Sequence, residues 1–551
     1  MTADALVAAI RADPGADLPR LTFADWRDDR GDPDRAEFVR VQCELAKIDE
    51  WDARRPALED REHELLDAYE AAWLGDPGGL DEWEWRRGFV DEVSGHFLSI
   101  RQAAEAGFAG HPVRAANVTS WRTGPNWPDG MPPGPWLAPL RRLSVAGTEA
   151  RPPQLAQLLR SPHLADLTAL DISQNPGGRG LADAVAGASC RGGLRELSAG
   201  GGPDGPHDFR RWGEVLAGCP LERLDTPGSG MTTPGLQALL DALAWCPLVT
   251  LDVSDNPLDG PAAGMLLRVA PPTVRRLDVS GTGLGNLALH LLLTLPNLAG
   301  LTDLSVNRCR GREAAEALAA SPFWANAESL RWHSAEVTDY QLAPLAAGGS
   351  AKLRLLDLGD NAVRLAGVRH LASARWAGSL TWLGLSNNDL ADAACPLLAS
   401  GAFGNLRTLH LAFNGRNSPS PPAGITDLGA ATLAASPGLA RLRLLTLSHT
   451  QITDRAVPTL LDAPHWRLSG LGLAGCDLGP WAVHALAASD RLRRLQWLDL
   501  SSNPRLGGDA LVPLAESPHL SRLCELDIGG IAASDRVRAA LRDRLGRRLS
   551  D

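Results

Sequence analysis

The stretch Leu380-Thr381-Trp382-Leu383-Gly384-Leu385-Ser386-Asn387-Asn388-Asp389-Leu390 reads L-x-x-L-x-L-x-x-N-x-L, and close copies of it run through most of the chain. The equivalents of Leu385 are Val118, Val145, Ile172, Ala199, Thr226, Val253, Val279, Val306, Trp332, Leu358, Leu411, Leu447, Leu473, Leu500 and Ile528. Successive steps are 26 to 28 residues, except one of 36 between Leu411 and Leu447. Chance does not hold such a register over more than 400 residues. The chain is therefore an array of one small unit, in which each copy buries its apolar face against its neighbours. The long step is an insertion, Gly415 to Gly424, that leaves directly after a predicted strand and does not disturb the register.

Alternating leucines have period two, so each unit opens with a short strand whose leucines point inward. The slot of Asn388 needs a side chain that can satisfy backbone groups while the chain turns. It is filled elsewhere by Asn175, Asn256, Asn361, Asn414 and Asn503, by Thr282 and Thr450, and by Cys309 and Cys476. Stacked, the polar members form a ladder for groups otherwise buried without partners. Runs such as Leu390 to Ser400 follow, rich in the helix formers Ala and Leu. Many stop at a proline, as at Ser161-Pro162, Cys246-Pro247 and Ser436-Pro437, because proline cannot continue the helical hydrogen bonding.

This pattern resembles the leucine-rich repeat, in the longer helix-bearing form of the ribonuclease-inhibitor-like and cysteine-containing classes. The resemblance implies an α/β fold: a right-handed horseshoe solenoid of about sixteen repeats over 89–533, parallel strands concave and helices convex, with an N-terminal cap near Phe89–Ile100. Residues 534–551 read as a closing helix in which Val537, Leu541, Leu545 and Leu549 recur every four positions.

Residues 1–88 do not carry the repeat and read as a small all-α domain. Leu6, Val7 and Ile10 define a first helix, Leu18 to Arg30 a second, the segment with Phe38, Val39, Val41 and Leu45 a third, and Pro56 to Trp73 a fourth. Pro19-Arg20-Leu21-Thr22-Phe23-Ala24-Asp25-Trp26, Arg30-Gly31-Asp32-Pro33, Arg35 to Gln42 and Arg86-Arg87-Gly88-Phe89-Val90 make this part similar to the repeat-companion domain of bacterial repeat proteins. That family carries no established activity, so the resemblance implies no catalytic residues. Asp25, Trp26 and Arg40 are either a docking surface or, the reading that charges at such positions favour, a core tryptophan among solvated ion pairs.

A net charge of −11 argues against a general nucleic-acid coat. No apolar run approaches the length of a membrane span. The start, Met1-Thr2-Ala3-Asp4, lacks signal-peptide features, and eight scattered cysteines without a C-x-x-C pair fit reduced thiols, so a cytoplasmic location is expected. Trp121 to Trp136 reads as a loop in place of a helix.

Motifs for chemistry are scarce. Gly200-Gly201-Gly202-Pro203-Asp204-Gly205 satisfies G-x-G-x-x-G with Asp225 beyond it, but these residues also fall at a strand exit and in an Asp-bearing repeat position. His63-Glu64-Leu65-Leu66-Asp67 lacks the second histidine of a zinc-protease helix. Histidines and cysteines show no metal spacing. No catalytic residue, cofactor or metal is expected.

The outward residue before each inward anchor forms a column: Asp171, Asp225, Asp252, Asp278, Arg331, Asp357, Gly384, His410, Thr446, Gly472, Asp499 and Asp527. Its flanks are acidic, which serves either a partner or merely the turns, while its middle is largely neutral. Around that middle, Arg331, His333, Trp382, His410, Phe413 and His449 gather aromatic and cationic side chains typical of interface anchors. The expectation is a non-catalytic protein-binding scaffold acting through its concave face. Two alternatives stand beside it: a regulatory subunit whose helical domain docks a second protein, and, remotely, a nucleotide-binding enzyme. Neither the partner's identity nor the oligomeric state is legible in the residues.

Overall fold

The computed structural model describes residues 2–48, 52, 54–120, 133–202, 206–258, 260, 264, 270–295, 299–310, 314–415, 424–545 and 549–550. Most of the tryptophan-rich stretch, most of the insertion, Pro203 to Gly205 of the glycine run, and Arg547 and Arg548 of the C-terminal segment lie outside them. The chain forms two compact units, residues 1–256 and 257–551.

The first unit opens with four helices at the positions the apolar periodicity predicts: α1 (Ala3–Ala12), α2 (Leu18–Asp28), α3 (Pro33–Leu45) and α4 (Arg55–Leu74). Asp32 caps α3 by accepting from the Arg35 amide at 3.3 Å, with Pro33 in the first helical position, where a missing N–H costs nothing. Leu6, Val7, Ile10, Phe23, Ala24, Ala36, Val39 and Cys43 form the core, and Phe89 closes it.

Where sequence reasoning expects an irregular cap, the structure has an antiparallel hairpin. Its strands are β1 (Glu82–Arg86) and β2 (Phe89–His96), with Arg86 opposite Phe89. The two turn residues, Arg87 and Gly88, have φ of +50° and +85°, both positive as the tight primed turn demands. A Cβ on Gly88 would stand 2.6 Å from Val39 Cγ2 and 2.8 Å from Val39 Cα, so helix α3 also requires glycine there. That helix clamps the turn: Arg35 Nη2 donates to the Gly88 carbonyl at 2.6 Å, and the Gly88 amide donates to Gln42 Oε1. Arg35 is itself buried among Trp73, Trp85, Phe89 and Phe38, its guanidinium carbon 4.9–5.4 Å from their ring centres. Desolvation, reinforced by the charge of Arg27, lowers its pKa to about 9.

Strand β2 then pairs in parallel with β3 (Ala115–Ser120), and three-residue parallel strands continue the ladder to Thr250–Asp252. In the second unit the parallel ladder runs from Arg276–Asp278 through Asp303–Ser305, Ser329–Arg331, Leu355–Asp357, Trp382–Gly384, Thr408–His410, Leu444–Thr446, Gly470–Gly472 and Trp497–Asp499 to Glu525–Asp527. The middle leucines, such as Leu383, Leu409, Leu445 and Leu471, are buried beneath it. Helices such as Asp427–Ala434 and Pro480–Ala488 return the chain between strands.

The asparagine ladder is present. Asn414 Nδ2 donates to the carbonyls of Leu385 and Leu411 at 2.8 and 3.0 Å, while its Oδ1 accepts from the Leu390 amide at 3.1 Å. Asn175, Asn256, Asn361, Asn388 and Asn503 bond the preceding repeat in the same way. Cys309 and Cys476 keep the bond through Sγ, to the carbonyls of Val279 and Leu447. A second ladder, not foreseen, runs along the helix starts. Asp427 Oδ1 accepts from the Thr453 amide at 2.7 Å, Asp454 Oδ1 from the Gly479 amide at 2.6 Å, and Asp339 Oδ1 from the Arg364 and Gly367 amides. Each carboxylate thus satisfies backbone donors of the next repeat near its helix start.

The C-terminal helix is shorter than its four-residue periodicity suggests. It spans Asp535–Leu545 and buries Val537, Leu541 and Leu545. Leu549 belongs instead to a last strand, paired in parallel with Leu526.

Candidate functional site

The parallel register turns the outward column into a physical row: Arg331, Asp357, Gly384, His410, Thr446, Gly472, Asp499 and Asp527 stand side by side on successive strands. The aspartates use one oxygen locally. Oδ1 of Asp357 accepts from the Gly359 amide at 3.0 Å, Asp499 Oδ1 from the Ser501 amide at 3.0 Å, and Asp527 Oδ1 from the Gly529 amide at 2.8 Å. The turn role foreseen as the plainer alternative is thus real, and it occupies only half of each carboxylate.

Two residues beyond each Leu385-equivalent, from Gly147 to Gly530, the backbone is left-handed in every repeat. The position is glycine at 147, 201, 228, 281, 475 and 530, and mostly Asn, Asp or Ser elsewhere, the residues that tolerate this region. Gln174, Arg308, Phe413 and His449 depart from it, and the last two, with φ of +61° and +57°, are its aromatic side chains. These two occupy successive repeats, and their rings stack at 4.2 Å with 18° between planes. Phe413 is 43% exposed, and the other five candidate residues are half-buried. Bulky side chains in a strained conformation at one outward point are where functional constraint commonly shows.

The other candidates lie flatter. The Trp382 indole crosses its own strand, where a Cβ on Gly384 would come within 2.6 Å of the ring. Trp382 and His410 ring centres are 5.0 Å apart, and His410 Nδ1 is 3.0 Å from Thr446 Oγ1. Burial lowers the His410 pKa, so the ring is neutral at pH 7. Trp497, not singled out from sequence, lies over Gly470 and Gly472, 3.1–3.2 Å from where their Cβ atoms would be. Its signal was available: glycine in a strand marks close approach by another group. Arg331 sits one strand beyond Asp357 and donates to Ser329 Oγ at 3.2 Å.

His333 makes a cluster of a different kind. Its Nε2 is 2.9 Å from Asp360 Oδ2, its Nδ1 is 2.8 Å from Ser334 Oγ, and Ser334 Oγ also lies 3.3 Å from Asp360 Oδ2. Ser, His and Asp are together, but acyl transfer also needs donors for an oxyanion. The Ser334 amide is bonded to the Gly359 carbonyl and the Ala335 amide to Asn361 Oδ1, so the ladder has already used both.

Other sequence candidates resolve into structure. Gly200, Gly201 and Gly202 would each place a Cβ within 2.4 Å of the adjoining repeats, at Pro227, Gln174 and the Asn175 carbonyl. The Gly201 amide donates to the Pro227 carbonyl, and buried Asp225 accepts from Arg223 Nε at 2.7 Å and Ser198 Oγ at 3.0 Å. Inter-repeat packing explains the glycine run. Arg40 pairs with Asp25 and Asp28 at 2.6 Å, and Trp26 packs on Phe23 beneath Arg30. These are the local ion pairs of the plainer reading. Among the described residues no cluster of His, Cys, Asp and Glu could hold a metal, and no helix is long and apolar enough to cross a membrane.

No family model and no curated protein matches the chain. Solved structures with which it aligns include an internalin (inlF) from Listeria monocytogenes, at 18% identity and a TM-score of 0.33, over 71% of this chain and 87% of that one. A leucine-rich-repeat protein of Leptospira interrogans aligns at 17% identity and a TM-score of 0.32, over 75% and 96%. Rad7, from the yeast Rad7–Elc1 complex, aligns at 18% and 0.38, over 60% and 88%. At such scores the assignment stands on the chain's own register, parallel strand ladder and asparagine ladder. By those features, both units are built of leucine-rich repeats stacked as a solenoid.

Proposed function

We propose that this chain is a protein-binding scaffold without catalytic function, and that its partner docks on the concave face formed by the outward strand residues of the second unit. The stacked, left-handed pair Phe413 and His449 carries the reading. Phe413 is exposed and stacked on His449, and exposed aromatic side chains gathered in one patch are typical anchors of protein interfaces. Trp382 and His410 extend the patch, and Arg331 and His333 rim it. Strands hold Arg331, Trp382 and His410, and the hydrogen-bonded turns just beyond the strands hold His333, Phe413 and His449, so docking loses little conformational entropy. All eight cysteines are unpaired and seven are buried, which supports a reducing, cytoplasmic setting. We assign residues 1–88 to a helical companion domain covering the start of the repeats.

Affinity capture with the intact chain beside a Trp382→Ala, Phe413→Ala variant tests the proposal. Partners recovered by the first should be lost by the second at unchanged melting temperature. Equal recovery by both refutes the assigned patch.

A further inference from the structure

The outward residues of four successive strands are Trp382 and Gly384, Thr408 and His410, Leu444 and Thr446, and Gly470 and Gly472. With His410 neutral, none is charged. Each of the other three-residue strands of the ladder carries at least one outward acid or arginine. The window is bracketed by aromatic side chains, Trp382 lying on Gly384 in its first strand and Trp497 lying over Gly470 and Gly472 of its last, with Thr408, His410, Leu444 and Thr446 between them. Four strands at about 4.8 Å make it roughly 19 Å long, while two outward residues of one strand span only about 7 Å. It is therefore a strip running across the strands.

Carboxylates stand at both ends. Asp357 lies on the strand before the window, and Asp499, then Asp527 beside Glu525, on the strands after it. Among the described residues Asp357, Asp499 and Asp527 form no ion pair, and their bonds run through Oδ1, leaving Oδ2 available. Arg331, beside Asp357 on the preceding strand, donates to Ser329 Oγ at 3.2 Å.

We propose that the partner presents an extended peptide segment along this strip, with apolar or aromatic side chains against Trp382, Leu444 and Trp497 and a cationic residue at each end, on Asp357 and on Asp499. Five strand steps separate those acids, about 24 Å, which an extended chain covers in roughly seven residues. Opposite charge at both ends fixes the register, and the apolar centre provides the burial. This inference rests on the scaffold reading and names the chemistry of its partner.

Fluorescein-labelled nonapeptides with arginine at positions 1 and 8, and Leu, Phe, Trp or Tyr in all pairs at positions 4 and 5, are titrated against the full chain. A matched set carries glutamate in place of arginine. The best arginine peptide should bind at least tenfold more tightly than its glutamate counterpart. An Asp357→Asn, Asp499→Asn variant should lose at least tenfold of that affinity and most of its salt dependence. Equal binding of the two sets, or no binding of any arginine peptide at millimolar concentration, overturns the proposal. If the Trp382→Ala, Phe413→Ala variant loses captured partners while the double asparagine variant holds them at unchanged affinity and salt dependence, the scaffold reading stands and only the peptide chemistry fails.

Discussion

The Phe413 ring stacks on the His449 imidazole at 4.2 Å across two successive repeats, and both residues hold left-handed backbone at a position where neighbouring repeats place glycine or a small polar residue. The contact joins a local strain to an inter-repeat geometry. His449 is accommodated in turn because Gly475 lacks a side chain: a Cβ there would stand 2.3 Å from His449 Nδ1.

Phe413→Asn should separate binding from stability. Asparagine accepts the left-handed region, so relief of strain offsets the lost stacking, each about 1 kcal/mol. Thermal unfolding should shift by less than about 2 °C, on the scaling of stability to melting temperature for large chains. Partner affinity, measured by calorimetry, should fall at least tenfold. A large drop in melting temperature would show that the pair is structural.

Gly475→Ala should displace the His449 ring, since the new Cβ would also lie 2.5 Å from its Cε1. Partner binding should weaken as in Phe413→Asn, with a stability loss of about 1 kcal/mol from alanine at positive φ. Unchanged affinity would remove His449 from the site.

Asn388→Leu should destabilise the second unit by roughly 1–3 kcal/mol. Its Nδ2 donates to the Leu358 carbonyl at 2.9 Å and its Oδ1 accepts from the Val363 amide at 2.8 Å, and leucine would leave both groups buried and unpaired. Hydrogen exchange should accelerate first at Val363. Unaltered melting would contradict the role of the ladder.

Acid should weaken the first unit through His111. Its Nδ1 accepts from the Val90 amide at 3.1 Å and its Nε2 faces the Trp73 carbonyl at 3.0 Å, and desolvation lowers its pKa to about 4. The unfolded imidazole titrates near 6.5. Above that pH both states are neutral and the native state keeps its full stability. Between 6.5 and 4 only the unfolded chain gains the proton, so stability falls by up to on the order of 3 kcal/mol and then levels off. Comparing wild type with His111→Gln in urea melts across this range isolates the contribution, and parallel curves would refute it.

Gly88→Ala should destabilise the join between the helices and the hairpin by more than about 1 kcal/mol, combining positive φ with contact against the α3 backbone at Val39. Tryptophan fluorescence, reporting Trp73 and Trp85 around Arg35, should change at a lower urea concentration than in wild type.

Much of the fold was legible because its signals are local and repeated. Leucine at every second position fixes which way a strand faces, a proline follows the end of helices such as Pro152–Leu159 and Asp427–Ala434, and the spacing of Leu385-equivalents fixes how many times this happens. The four N-terminal helices follow from the same apolar periodicity. The hairpin was missed because Trp83 and Trp85 alternate with charges over only five residues, too short a run to outweigh the expectation of a cap. Leu549 was misplaced because a four-residue spacing does not say where a helix stops.

Arg331 and His410 were legible as members of a column, since parallel strands of equal length must place equivalent positions side by side. What each one does was decided only in three dimensions. Whether an aspartate spends one oxygen on a turn or both, whether Trp382 stands up or lies on Gly384, and whether Phe413 meets His449 depend on the repeat above and the repeat below. Those partners are 26 to 36 residues away in sequence and about 5 Å away in space, a distance set by hydrogen bonding between strands and written in no single repeat.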